Sequence, residues 1–378
     1  MTRIILLILF FLISLLAVCK APAYYLWLLA IVVTEYPLIF VTITAALTAW
    51  GYWVNKYPVQ GTYVGIITLL LFLSPIIRAQ LLSEDMREDM AKSFTGGGSP
   101  PIFPGRSVFS FGGLLKSTPA LAYKTITYAK YPEINLGLAF YASPATGMRP
   151  CVIVVHGGSW SSGDSRQLPE LNSYLAAKGY QVASINYRMA PKYQTPAPVG
   201  DIQKALAYLT THANELHIDT NNFVLLGRSA GAQIALLAAY TLHDKRIKGV
   251  IDFYGPADMV WGYSIPSNPL IMDSRGVMDR YIGGSYKQVP EKYVACSPIK
   301  FADDQAITTL IIHGNNDVLV SPEHSRRLDL KLTQHNIRHY WLKLPWATHG
   351  FDFNINGPGG QLSTFAVETF LNTITQTP

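Results

Sequence analysis

Phe223-Val-Leu-Leu-Gly-Arg-Ser-Ala-Gly-Ala232 is a stretch in three parts. Residues 223–226 are an apolar run of the length of a buried strand. Residues 227–231 make a G-x-S-x-G turn, and residues 233–240, rich in Ala and Leu, read as a helix. Strand, tight turn and helix in that order is the setting a serine nucleophile needs. The turn is sharp, so the neighbours of Ser229 must be small enough to let helix and strand approach. Ser229 then stands at the amino end of the helix, where free N–H groups and the helix dipole favour developing negative charge. An ordinary Gly/Ser turn would read the same, so the flanking chain has to decide.

Outward from this stretch, strand and helix patterns alternate. Residues 124–131 and 136–141 look like an antiparallel pair. Residues 151–155, 181–187, 247–254, 308–312 and 339–344 read as further strands. Between and after them, residues 168–178, 199–214, 323–335 and 361–373 read as helices. This alternation predicts an α/β fold, a mostly parallel doubly wound sheet with helices on both faces. Its chemistry should lie at the carboxyl ends of the strands.

Three strand ends carry suitable residues. After 151–155 comes His156-Gly-Gly-Ser-Trp-Ser-Ser-Gly163. Adjacent glycines there let backbone N–H groups face a ligand without a Cβ in the way. Gly157 or Gly158, with the N–H of Ala230, would form an oxyanion hole, and His156 reads as a structural residue that orders the loop. After 308–312 comes Asp317, placed to orient an imidazole, although a turn aspartate bonding its own backbone would look alike. After 339–344 comes His349, the candidate general base. The chain order Ser229, Asp317, His349, with a Gly-Gly loop upstream, is that of the α/β-hydrolase triad.

At this point the chain resembles a known family. Residues 156–163 are similar to the H-G-G-x-W-x-x-G loop of carboxylesterases of the hormone-sensitive-lipase, BD-FAE and kynurenine-formamidase types. Asn186-Tyr-Arg-Met-Ala-Pro191 resembles their D-Y-R-L-A-P segment, with Asn186 in place of the acid. Pro198 to Asp201, Tyr254-Gly-Pro-Ala-Asp258 and His349-Gly-Phe351 also match. The resemblance covers about residues 121–378 and implies an α/β-hydrolase that cleaves carboxylic esters through an acyl-enzyme on Ser229. It implies neither a metal nor an organic cofactor. Two positions depart from the pattern. Ser159 stands where many relatives have a third glycine. Arg228 precedes the serine, where it would either draw anionic acyl groups or turn away and pair with a surface acid. Residues 259–294, with Trp261, Tyr263, Met272, Tyr281 and Tyr286, read as a cap over the serine whose aromatics suit an apolar acyl or alcohol group.

Ahead of this domain the chain changes character. Only 14% of its residues are charged, and the apolar excess is concentrated before about residue 80. Uncharged runs near 4–19, 36–54 and 61–77 read as transmembrane helices. Residues 1–79 are therefore expected to be a multi-pass membrane region, and the catalytic domain, 121–378, to follow a Gly/Pro-rich linker, 80–120, which opens with an exposed helix, 81–92. The flanking Lys and Arg residues barely favour one orientation. The partners expected are a small-molecule or lipid ester and the bilayer. The net charge of +6, with no basic block interleaved with aromatics, argues against nucleic acid. The three cysteines show no metal-ligand spacing and read as free thiols. Rival readings remain an acyltransferase using the same acyl-enzyme, a serine peptidase or amidase, and a binding module that has kept the fold without its chemistry.

Overall fold

The computed structural model describes residues 2–53, 58–95 and 107–375. Eight strands form one sheet: β1 (Lys124–Tyr131), β2 (Ile134–Tyr141), β3 (Arg149–Val155), β4 (Gln181–Ile185), β5 (Ile218–Arg228), β6 (Ile247–Phe253), β7 (Thr309–Gly314) and β8 (His339–Leu344). Their order is β1-β2-β4-β3-β5-β6-β7-β8. The pairings of β2 with β1 and β4 are antiparallel, and all others are parallel. The central strands are apolar throughout because both faces are covered. Cys151, Ile153, Val155, Phe223 and Leu225 enter one core, while Val152, Val154, Val224 and Leu226 enter the other. The expected helices stand close to their predicted bounds, at Pro169–Ala177, Ala197–Thr211, Ala230–Thr241, Glu323–Gln334 and Pro358–Thr375. This is the α/β-hydrolase fold.

The amino-terminal region differs from expectation. It folds into α1 (Thr2–Ser14), α2 (Tyr24–Glu35), α3 (Pro37–Ala49) and α4 (Pro58–Thr95). Of the three spans expected, only one lies, among the described residues, in a helix long and apolar enough to cross a bilayer, Val59–Phe94. The pair α2 and α3 passes that test only if taken together, and it bends by 84° between Glu35 and Pro37. Pro37 lacks the N–H that would continue α2, so the apolar run breaks there. Arg3, expected to flank a membrane, is buried, with Nε donating to Leu47 O at 3.0 Å and Nη2 to Thr48 O at 3.1 Å. It thereby satisfies the last carbonyls of α3. Lys56, another of the flanking cations, lies outside the described residues.

The linker expected over 80–120 is also different. Residues 80–95 continue α4, and the helix expected to be exposed buries Met86, Met90 and Phe94 in the core shared with the sheet. Phe94 lies 5.2 Å from the Phe370 ring and Arg87 stacks on Phe365, both in the carboxyl-terminal helix Pro358–Thr375. Farther on, Gln361 Oε1 accepts from Ser110 N at 2.9 Å and Ser173 Oγ accepts from Leu121 N at 2.8 Å. The described parts of this stretch are thus fastened to the α/β body. Its Gly96-to-Pro101 run lies outside the described residues.

Candidate active site

β5 ends at Arg228 and its helix starts at Ala230, so Ser229 alone makes the turn. Its backbone, φ 53° and ψ −120°, is one that a residue with a Cβ adopts only when its surroundings enforce it. Ser229 N donates to Phe253 O at 2.9 Å, fixing the turn to the end of β6. A Cβ on Gly227 would stand 2.3 Å from Ala232 Cα, and one on Gly231 would stand 2.2 Å from Val155 O. The turn therefore needs glycine on both sides of the serine to close against its own helix and against β3.

The loops after β7 and β8 bring Asp317 and His349 to this turn. Nε2 of His349 lies 2.9 Å from Ser229 Oγ, and Nδ1 lies 2.6 Å from Asp317 Oδ2. With Nδ1–H donating to the carboxylate, Nε2 is left to accept the serine proton. Asp317 is fully engaged. Its Oδ1 accepts from Leu319 N at 2.8 Å and Val320 N at 2.9 Å, and Oδ2 also accepts from His313 Nε2 at 3.1 Å. Burial works to raise the Asp317 pKa. The neighbouring His349 charge and the bonds from His313 and His349 outweigh it and hold the carboxyl well below the usual range. His313 was missed in the sequence. Its Nε2 faces two acceptors, Asp317 Oδ2 and Val320 O, each at 3.1 Å, so the proton sits on Nε2, and Ser325 Oγ, 2.7 Å from Nδ1, meets the other ring nitrogen. Its only signal was its place four residues before Asp317.

The loop after β3 lies beside the elbow, as the closeness of Gly231 to Val155 and His156 requires. Gly157 N donates to Gln167 Oε1 at 2.8 Å, so its N–H is already spent. Among the described residues, the N–H groups of Gly158, Ser159 and Ala230 have no hydrogen-bond partner. Gly158 rather than Gly157 is therefore the glycine with a free donor. Ser159 keeps a positive φ of 52° without being the third glycine. His156 stacks on Tyr187 at 4.4 Å, its Nδ1 donates to Gly157 O at 2.7 Å, and burial lowers its pKa. These contacts order the loop. Gln233, on the elbow helix, accepts from Trp160 Nε1 at 2.9 Å and Tyr281 OH at 3.1 Å, tying loop, elbow and cap together. Farther from the serine, Arg188 and Asp201 of the two upstream motifs pair at 2.9 Å and hold the edge of the sheet.

Arg228 turns away from the site. It is 2% exposed, and its Nε donates to Asp352 Oδ2 at 2.5 Å. Its partner is a buried acid, not the surface acid expected. Tyr254, whose ring lies 4.4 Å from that of His349, donates its hydroxyl to the other oxygen of Asp352. The pair thus braces one side of the histidine, and the charge beside the serine is neutralised below the site.

A cavity of about 400 Å³ opens over Ser229. The excursion at 259–294 supplies much of its wall, including Met259, Ile271, Met272 and Met278. The aromatics expected to face substrate do something else. Tyr263, Tyr286 and Tyr293 pack on one another, Trp261 on His324, and Tyr281 on Trp160 at 4.5 Å. They hold the cap together, while aliphatic and Met side chains line the space. His324, at the wall, is buried, and its pKa is pushed down to about 3, so it is neutral there. Among the described residues, no group of three His, Cys, Asp or Glu side chains is gathered to hold a metal ion.

Comparison with known proteins points the same way. The BD-FAE family model matches residues 138–332. Esterase LipC of Mycobacterium tuberculosis is 30% identical over 280 residues, covering 69% of this chain and 68% of that protein. The probable carboxylic ester hydrolase LipM of the same organism is 27% identical over 263 residues, and this chain spans only 60% of its length. Among solved structures, the Est2 esterase of Thermogutta terrifontis superposes with a TM-score of 0.56 at 21% identity, covering 67% of this chain and 92% of that one.

Proposed function

The chain belongs to the BD-FAE family, which spans residues 138–332 on an α/β-hydrolase fold, and from that premise we propose that it is a membrane-anchored serine hydrolase of carboxylic esters. The observation that carries this reading is the hydrogen-bonded series Ser229, His349, Asp317 opening on an apolar cavity. Ser229 Oγ attacks the ester carbonyl as His349 Nε2 takes its proton. Asp317, ionised and fully bonded, holds the tautomer and stabilises the imidazolium. The free N–H groups of Gly158 and Ala230 receive the oxyanion, with Ser159 beside them. One such donor is worth roughly 2.7–4 kcal/mol in the barrier. His349 returns its proton to the alcohol as it leaves, and a water, deprotonated by the same nitrogen, resolves the acyl-enzyme. Carboxylic esters are the class given in the name of LipM, and the aliphatic and Met side chains of the cavity wall suit those of apolar acids.

The anchor in this reading is the amino-terminal half of α4. Val59, Tyr63, Ile66, Leu70 and Ile77 are exposed at helical spacing, forming an apolar stripe that the described residues leave uncovered. Ile5, Ile8, Leu9 and Leu12 of α1 do the same. The carboxyl-terminal half of α4 carries the charges and packs on the catalytic body.

The test is Ser229→Ala in the full chain, assayed on esters of graded acyl length and with a fluorophosphonate probe. Both turnover and labelling should vanish. Labelling that persists at another residue refutes the assignment of the nucleophile. Extraction of the protein from membranes by alkaline carbonate refutes the anchor.

A further inference from the structure

The segment 20–35 was read as part of a membrane region, yet it reaches the catalytic histidine. Trp27 Nε1 donates to His349 O at 3.0 Å. The His349 ring lies 4.4 Å from that of Tyr254 and 6.3 Å from that of Trp27. Just upstream, Lys20, Ala21 and Pro22 line the same cavity as Ser229. The segment is held at both ends. Tyr24 N donates to Leu270 O at 3.0 Å, and Asn268 Nδ2 donates to Pro22 O at 3.2 Å, both partners lying in the cap. At its far end Glu35 is buried, and its Oε2 accepts from Gly359 N at 2.9 Å, at the start of the carboxyl-terminal helix. Asn354 Nδ2 donates to Glu35 O at 2.8 Å. A segment serving only to hold the enzyme to a bilayer has no need of these bonds.

We propose that residues 20–35 are a working part of the active site, in which Trp27 is a positioning residue for His349 and Ala21–Pro22 form the wall that limits the length of the ester bound. This deepens the esterase reading and rests on it. The loop of His349 has few other restraints at this carbonyl. Gly350, at φ 81°, follows it and lets the backbone turn. Without the indole N–H, the imidazole samples orientations in which Nε2 no longer faces Ser229 Oγ. Ground-state affinity depends on the cavity and is not governed by this bond, so the loss falls on kcat.

The experiment uses the full chain in detergent with p-nitrophenyl esters, which need no membrane. Trp27→Phe keeps a ring and removes the N–H. It should lower kcat for p-nitrophenyl acetate by up to about tenfold, the scale of one neutral hydrogen bond, with the change in kcat rather than KM. A kcat within twofold of the parent overturns the positioning role. Ala21→Leu, at a buried cavity-lining position, should lower the ratio of octanoate to acetate turnover at least tenfold. An unchanged ratio overturns the wall. If the parent protein neither hydrolyses these esters nor takes the fluorophosphonate, the esterase reading fails and takes this inference with it. If the parent is active and both variants match it, this inference alone fails.

Discussion

Gly231→Ala tests whether the elbow is held by its packing against β3. The new Cβ would stand 2.2 Å from Val155 O and 2.3 Å from His156 O. Both neighbours are backbone atoms of a central strand and its following loop, so no side chain can swing aside. Ordinary contact begins near 3.4 Å, which leaves a shortfall of about 1.2 Å for elbow and loop to share. That loop carries the Gly158 N–H, and the elbow carries Ser229 and the Ala230 N–H. Forcing them apart by about 1 Å misplaces nucleophile and donors together, a displacement that costs on the order of a hundredfold in rate. The overpacking itself should cost about 1–3 kcal/mol of stability. The assay is kcat on a short soluble ester and the rate of fluorophosphonate labelling, each measured well below the melting temperature. Gly112→Ala is the control, since Gly112 is exposed and its nearest neighbour, Ser110 Oγ, is 3.7 Å from the new Cβ. A folded Gly231→Ala protein with kcat within threefold of the parent would refute the reasoning, because the elbow would then tolerate separation from β3.

Two predictions concern buried charge. Burial raises the Asp252 pKa from 3.8 to about 7, offset in part by His313 and the Gly255 N–H. Between those values the folded chain keeps a proton that the unfolded chain has lost, so this site's contribution to stability falls as pH rises through the window, by up to about 4 kcal/mol. Asp252→Asn should flatten the dependence of Tm on pH between 4 and 7, and a slope equal to that of the parent counts against the assignment. Asp352→Asn strands the Arg228 guanidinium in the interior and should cost roughly 3–5 kcal/mol in urea unfolding. The double variant Arg228→Met, Asp352→Leu should recover most of that, and a double variant no more stable than the single one would show that the pair is not the cause.

The α/β body was legible because its requirements are local. A strand buried on both faces must be apolar, and a helix needs small residues where it meets the sheet, so 151–155 and 223–240 announce themselves. The positions of Ser229, Asp317 and His349 followed from a strand-end rule that topology enforces. What escaped were choices made by tertiary packing. Nothing in the sequence says that Gln167 occupies the Gly157 N–H, or that His313 completes the shell of Asp317. The buried partner of Arg228 was equally hidden, because Asp352 lies 124 residues away along the chain. The cap aromatics were misassigned for a related reason. Large flat rings suit a substrate wall, but Trp160 and Tyr281 stack at an interplanar angle of 6° and satisfy each other instead.

The amino-terminal region shows why apolar length alone is an ambiguous signal. A run without charge can be shed from water into lipid or into protein, and composition prices the two alike. The difference lies in the interruptions. In α4 the exposed apolar positions recur on one face, while the buried ones pack on the neighbouring amino-terminal helices at Phe72 and on the α/β body from Ile76 onward. In α2 the interruption at Glu35 is decisive. A carboxyl there would be costly against lipid; here its Oε2 accepts from the N–H groups of Gly359 and Gly360 at a helix start, while burial outweighs these bonds and raises its pKa to about 8. Trp27 reads as an interfacial aromatic by the same ambiguity, since an indole N–H seeks an acceptor at a headgroup or at a carbonyl. In this fold the acceptor is the carbonyl of His349. The apolar segments therefore divide their labour, α4 and α1 presenting faces that the described residues leave uncovered, and α2 joining that region to the loop of His349.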